Sequence, residues 1–262
     1  MIASHTAEES RDRPYIERNR RNLPAGTAFT WLKAGWRDFV NRPGPSLAYG
    51  IAVCAVSLAI VWSLFALGYD YILFPAIAGF MVMGPLVAIG LYEKSRAIAN
   101  SGPVSLSRMI FVRPRSGAQI WFTGAILCGL MLLWMRAAVI IYALFFGLTP
   151  FPGLDHITTM LLTTWTGWAM LAVGSVIGGV FAAFSFAVST FSIPMLLDED
   201  VDAFTAMGTS ISLVWSNLPV MIAWGLIVLV LFLVSVATAF IGLIVVFPVL
   251  GHATWHAYKA MR

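Results

Sequence analysis

Long apolar runs alternate with short polar connections along this chain, and the runs have the length of membrane-crossing helices. The first extends from about 47 to 67 and closes at a tight turn over Gly68–Tyr71. The second, about 72–91, contains Pro75, Gly84 and Pro85, which predicts a kink. The third starts near Gln119 and continues to Phe146, interrupted only by Arg136. The fourth covers about 167–192, and Pro194 is expected to break it. The last run, 218–250, is too long for one span. At about 1.5 Å per residue, one helix would be about 50 Å long, against a hydrocarbon core of about 30 Å. Two short helices turning near Ser235–Thr238 fit the length. The expected fold class is all-α: a polytopic membrane helical bundle of about six transmembrane helices.

Two flanking segments carry a different pattern. Residues 28–40 place Phe29, Leu32, Trp36 and Phe39 at helical spacing, with Lys33 and Arg37 on another face. That predicts an amphipathic helix in the membrane interface, anchored by Trp31 and Trp36, or one packed on the protein's own surface. Pro43 and Pro45 end it. Trp165 and Trp168 are the anchors expected at the opposite interface. A second amphipathic helix should start near Val201, with Phe204, Met207, Ile211 and Val214 on one face. Asp198, Asp200 and Asp202 open it, where the helix dipole favours acids. A calcium loop needs glycine and glutamate further on, where this chain has Ala203 and Thr209. The proline placement (Pro85, Pro194, Pro248) hints at three stacked hairpins. The domain reading is a tail with its interfacial helix over 1–46, a six-helix domain over 47–258, and a short C-terminus over 259–262.

Charge adds orientation. Of the 16 Lys and Arg residues, all but Arg136 lie in the two termini or in every second connection. Cationic connections stay in the cytoplasm, so both termini are expected there, in a bacterial inner membrane. A composition of 60% hydrophobic and 11% charged residues excludes an ordinary soluble domain, which carries about a quarter charged. The net charge of +4 therefore points to anionic headgroups and topology, not to nucleic acid. The polar start lacks the apolar core of a secretory signal. Cys54 and Cys128 lie inside apolar runs and form no CxxC pair.

Few residues carry candidate chemistry. Arg136 is the intramembrane charge; it must snorkel, face water or find a partner such as Asp70, Asp155 or a carbonyl freed near Pro75. Gly174 and Gly178 form a GxxxG, which lets helices approach closely in lipid. His252 and His256 stand at i, i+4 and are the candidates for a metal, although a site needs a third ligand. No nucleophile–base pair, phosphate-cradling loop or dinucleotide fingerprint is present. The expectation is a non-enzyme without cofactor.

Four stretches together carry a resemblance: 84–106, 134–147, 193–210 and 247–258, the last reading FPVLGHATWHAY. They resemble a bacterial family of integral membrane proteins of unknown function (DUF2189), some members of which bear a cytochrome c oxidase subunit label. The resemblance implies a six-helix inner-membrane protein and brings no catalytic residues. With four histidines, two of them (His5 and His156) outside any span, the chain lacks the ligands of a haem–copper catalytic subunit. The expected role is an accessory or assembly subunit of a larger membrane complex such as a respiratory cytochrome c oxidase, in contact with lipids and other subunits. A small transporter or channel and a metal-handling membrane protein are the alternatives.

Overall fold

The computed structural model describes residues 19–147 and 152–262. The tail before Asn19 and the centre of the outer connection, 148–151, lie outside the described residues. Within them the chain is helical and contains no strand. This follows from the solvent: in hydrocarbon, backbone N–H and C=O groups must pair within their own segment, and apolar runs of this length can do so only as helices. Five helical stretches have the length and apolarity to cross a membrane: Pro43–Ala66, Asp70–Ala99, Gln119–Phe146, Trp165–Asp198 and Leu218–Ala237.

In chain order, α1 is Thr27–Val40 and α2 is Pro43–Ala66. The second crossing divides into α3 (Leu73–Val87) and α4 (Ile89–Ala99), with the break at Ala88, three residues after Pro85. The short α5 (Leu106–Ile110) lies in the basic connection. Next come α6 (Gln119–Phe146), α7 (Leu154–Thr163) and α8 (Trp165–Asp198). Then follow α9 (Ala203–Ser216), α10 (Leu218–Ala237) and α11 (Leu243–Met261). Pro194 does not break α8, which continues to Asp198 and is 34 residues long, about 51 Å. The last apolar run does divide, a few residues later than expected, at Thr238–Gly242. Thr238 Oγ1 accepts from Gly242 N at 3.0 Å, and Ala239 and Phe240 take left-handed φ values of 51° and 66°.

The sixth helix differs in kind from the other five. Only its first half, up to Leu250, is apolar enough for lipid. Its second half is packed into the protein along one side: His252, Tyr258 and Met261 are fully buried, while Lys259 is exposed. The helices around it are α1, α2, α4, α8 and α10. Two glycines admit it closely. A Cβ at Gly35 of α1 would lie 2.6 Å from the Val249 carbonyl oxygen and the Ala253 nitrogen, and a Cβ at Gly50 of α2 would collide with the Ile244 backbone. Of the three expected hairpins the middle one packs closely, α6 on α8, and α10 touches α11; the first does not form, since α2 packs on α11 and α3 on α6.

α1 lies against α11 through Ala28, Trp31, Gly35, Asp38 and Phe39. Trp31 is therefore a core residue, edge-on to Trp224 with ring centroids 6.0 Å apart, and not an interfacial anchor. Phe29 and Trp36 point outward, as do Phe204 and Trp215 of α9. Trp165 and Trp168 are exposed near the other end of the bundle. The GxxxG of α8 brings no second backbone close: Cβ atoms at Gly174 meet nothing within 4 Å, and at Gly178 they meet the Trp134 ring at 2.9 Å. Replacing Gly35 or Gly50 by Leu should thus lower stability by about 3 kcal/mol or more, because packed backbone has to move. Gly174→Leu should be nearly silent. Thermal unfolding of the three variants in mild detergent checks the contrast.

Candidate functional site: a buried relay at the basic end

Every connection expected on one side meets at one end of the bundle. Arg21 Nε donates to the Met261 carbonyl at 3.0 Å. Arg96 donates to the Leu197 carbonyl, and Arg115 to the Asp198 carbonyl at 3.0 Å. The basic connection thus holds the exposed carbonyls at the C-terminal end of α8, where the helix dipole favours cations. The carboxylates there serve the C-terminus instead. Glu199 takes a bidentate contact from Arg262 at 2.8 and 2.7 Å and a hydrogen bond from Tyr258 at 2.7 Å. Lys259 pairs with Asp198 at 3.1 Å. Asp202 caps α9, its Oδ1 accepting from Thr205 N at 2.9 Å.

Beneath this clamp runs a chain of buried polar side chains drawn from α1, α2, α4 and α11. Lys94, 1% exposed, donates to Ser46 Oγ at 2.8 Å and to the Arg42 carbonyl at 3.0 Å. Ser46 Oγ lies 2.9 Å from His252 Nε2. His252 Nδ1 lies 3.1 Å from the Leu91 carbonyl and 2.9 Å from Ser95 Oγ. Ser95 in turn stands beside the Asp38 carboxylate, which its hydroxyl helps keep ionised, and Asp38 Oδ2 is 2.9 Å from His256 Nε2.

The donor inventory fixes the direction of each link. An ammonium can only donate, so Ser46 accepts from Lys94 and has its own proton free for His252 Nε2. A carbonyl can only accept, so His252 carries its proton on Nδ1. Ser95 accepts there and donates to the carboxylate. Every hydrogen bond from Lys94 to Asp38 therefore points the same way, through a neutral imidazole. The array can pass a proton between a buried cation and a buried carboxylate by shifting each hydrogen one step. It also ties the left-handed corner at Arg42 (φ 55°) to α4.

The metal candidates His252 and His256 are both engaged in this array. Among the described residues no cluster of three or more His, Cys, Asp or Glu forms around them. Asp38 and Ser46 had no sequence signal as site residues; their one clue was polarity inside otherwise amphipathic or apolar segments. Arg136 stands apart. It is exposed on α6 and makes no ion pair among the described residues. The Pro75 carbonyl goes to Trp134 Nε1 at 3.1 Å, not to Arg136; the side chain of Asp155 lies outside the described residues. Cys54 and Cys128 are free thiols.

Residues 73–198 match the model of a family described as predicted integral membrane protein (DUF2189). Over that segment the chain resembles DUF2189. No curated protein and no solved structure matches it. The matched segment supplies Lys94, Ser95 and the Leu91 carbonyl, while Asp38, Ser46, His252 and His256 come from the flanks. The relay is thus built where α1, α2 and α11 close on the matched segment.

Burial alone raises the Asp38 carboxyl, but hydrogen bonds from His256 and Ser95 outweigh it and hold the group below its ordinary 3.8. The Arg262 guanidinium does the same for Glu199, ordinarily 4.5. A carboxyl depressed on folding contributes stability above its unfolded value and loses it as pH falls through the folded one. The melting temperature in detergent should accordingly stay level down to about pH 5 and fall steeply below about pH 4. Asp38→Asn should start lower at neutral pH and show a shallower acid decline.

Proposed function

We propose that this integral membrane protein works by contact, as a non-catalytic accessory or assembly subunit of a larger membrane complex, with a respiratory cytochrome c oxidase the first candidate. Arg136 carries the reading. It lies near the middle of α6 among exposed Leu132, Leu133, Val139 and Ile140. A guanidinium facing lipid at that depth costs several kcal/mol unless another molecule meets it. An acidic group or free carbonyl on a neighbouring subunit would remove that cost. Contact is further favoured by the outward aromatic faces of α1 and α9, which leave apolar surface beside the basic end. The oxidase as partner rests on the label carried by members of the resembling family.

Arg136→Leu isolates the point. The fold should survive, since the substitution suits a lipid-facing helix, and detergent stability should be unchanged or higher. Co-purification of partner subunits in mild detergent, and the amount of assembled oxidase in the membrane, should drop several-fold. A variant that retains its full complex removes the basis of this reading.

The same reading places both termini in the cytoplasm of a bacterium, because the described cations other than Arg136 gather at one end. Reporter fusions at 105, 205 and 262 should register cytoplasm and one at 155 periplasm. A periplasmic signal at 262 would reverse it.

A further inference from the structure

Next to the relay, walled by α3, α8, α10 and α11, is a cavity of about 600 Å³. That is the size of a site for one small organic molecule. The walls belong largely to spanning helices, so the medium around it is lipid and not water. Phe80, Trp134, Phe181 and Trp224 supply aromatic surface, and no charged side chain lines the space among the described residues. One wall residue is anomalous. Ser185, 2% exposed, stands in the cavity wall, and its hydroxyl has no hydrogen-bond partner. Serines in membrane helices ordinarily return this hydrogen bond to the carbonyl four residues back, as Thr190 does to Phe186 in the same helix. Leaving it unmade in an apolar setting costs on the order of a full hydrogen bond. Ser189, one turn further along α8, and the buried Tyr92 stand in the same wall, toward the basic end.

We infer that the cavity holds a neutral single-headed lipid, its apolar chain along the aromatic wall and a hydroxyl or carbonyl head hydrogen-bonded to Ser185. Neutrality follows from the wall: a charged head would be buried without a counter-charge. A head able to hydrogen-bond follows from Ser185, which a bare hydrocarbon chain leaves unsatisfied. The inference does not rest on the proposed complex: it is argued from Ser185 and the cavity wall, and Arg136 does not line the cavity.

The test uses the full chain in mild detergent and a long-chain fatty alcohol carrying a photoactivatable diazirine. Labelling should saturate and map to α8 and α10. Hexadecanol should compete about tenfold better than hexadecane, the worth of one buried hydrogen bond. Ser185→Ala should erase that preference while leaving the fold intact, since it removes only an unpartnered group. Gly179→Leu, at a wall position whose Cβ meets nothing within 4 Å, should fill the space and abolish saturable labelling by both. Equal competition by alkane and alcohol, or a preference that survives Ser185→Ala, would overturn the inference in favour of ordinary acyl chains occupying the gap. Palmitate competing as well as hexadecanol would overturn the neutral head.

Discussion

The polar half of α11 must be kept out of lipid, and the rest of the bundle is arranged around that need. A helix carrying His252, Thr254, His256 and Lys259 cannot face hydrocarbon, where each unsatisfied polar group costs several kcal/mol. Five helices enclose it instead. α1, outside the spans, is recruited to cover it, and that explains why α1 buries Trp31, Gly35 and Asp38 and turns Phe29 and Trp36 outward. Gly35 and Gly50 are the means of close approach. In lipid, where no hydrophobic drive joins helices, close backbone contact supplies the dispersion energy that holds them. The clamp of Arg262 on Glu199 then fixes the end of α11 to the end of α8.

This arrangement also shows which parts of the structure were legible in the sequence. Apolar run length is a one-dimensional property, and it located the spanning helices, the kink after Pro85 and the division of the last run. Relative packing is not one-dimensional. The GxxxG at Gly174 and Gly178 is a strong local pattern, yet it faces a ring and an open space, while Gly50 stands only in the weaker Ser46–Gly50 pair and Gly35 in none. Which glycine meets a backbone depends on which helix arrives opposite, and that is set by the burial of α11. Beyond Pro194 the last turn of α8 is held from outside, its carbonyls at 196–198 accepting from Arg96, Arg115 and Ser116. Such partners are invisible to a rule about proline alone.

The relay was legible only as scattered letters. His252 and His256 attracted a metal reading from their i, i+4 spacing, whereas their actual partners are remote: Asp38 is 218 residues from His256, and Ser46 is 206 from His252. Local spacing reports which side chains share a face. It does not report that the face is already filled by hydroxyls and a carboxylate. Energetically the array is a separated ion pair, Lys94 and Asp38, joined by neutral groups. Removing either end leaves a buried charge uncompensated, whereas the pair as a unit keeps each charge answered by the other through hydrogen-bonded neutral groups. Such a network specifies one arrangement of four helices more sharply than apolar packing does.

The two cations that depart from the surface make the last contrast. Lys94 is buried and partnered by Ser46 and the Arg42 carbonyl within its own chain. Arg136 is exposed among leucine, valine and isoleucine side chains that suit lipid. If α6 faced only acyl chains, an aliphatic residue at 136 would serve it better by several kcal/mol. The chain demonstrates at Lys94 that it can satisfy an intrusive cation internally, by placing hydroxyls and carbonyls around it. Near Arg136 in the chain, Trp134 Nε1 donates to the Pro75 carbonyl at 3.1 Å, and among the described residues no ion pair forms to Arg136. The asymmetry keeps the relay inside the protein's own architecture, and it is the ground on which the proposed contact at the outward face of α6 rests.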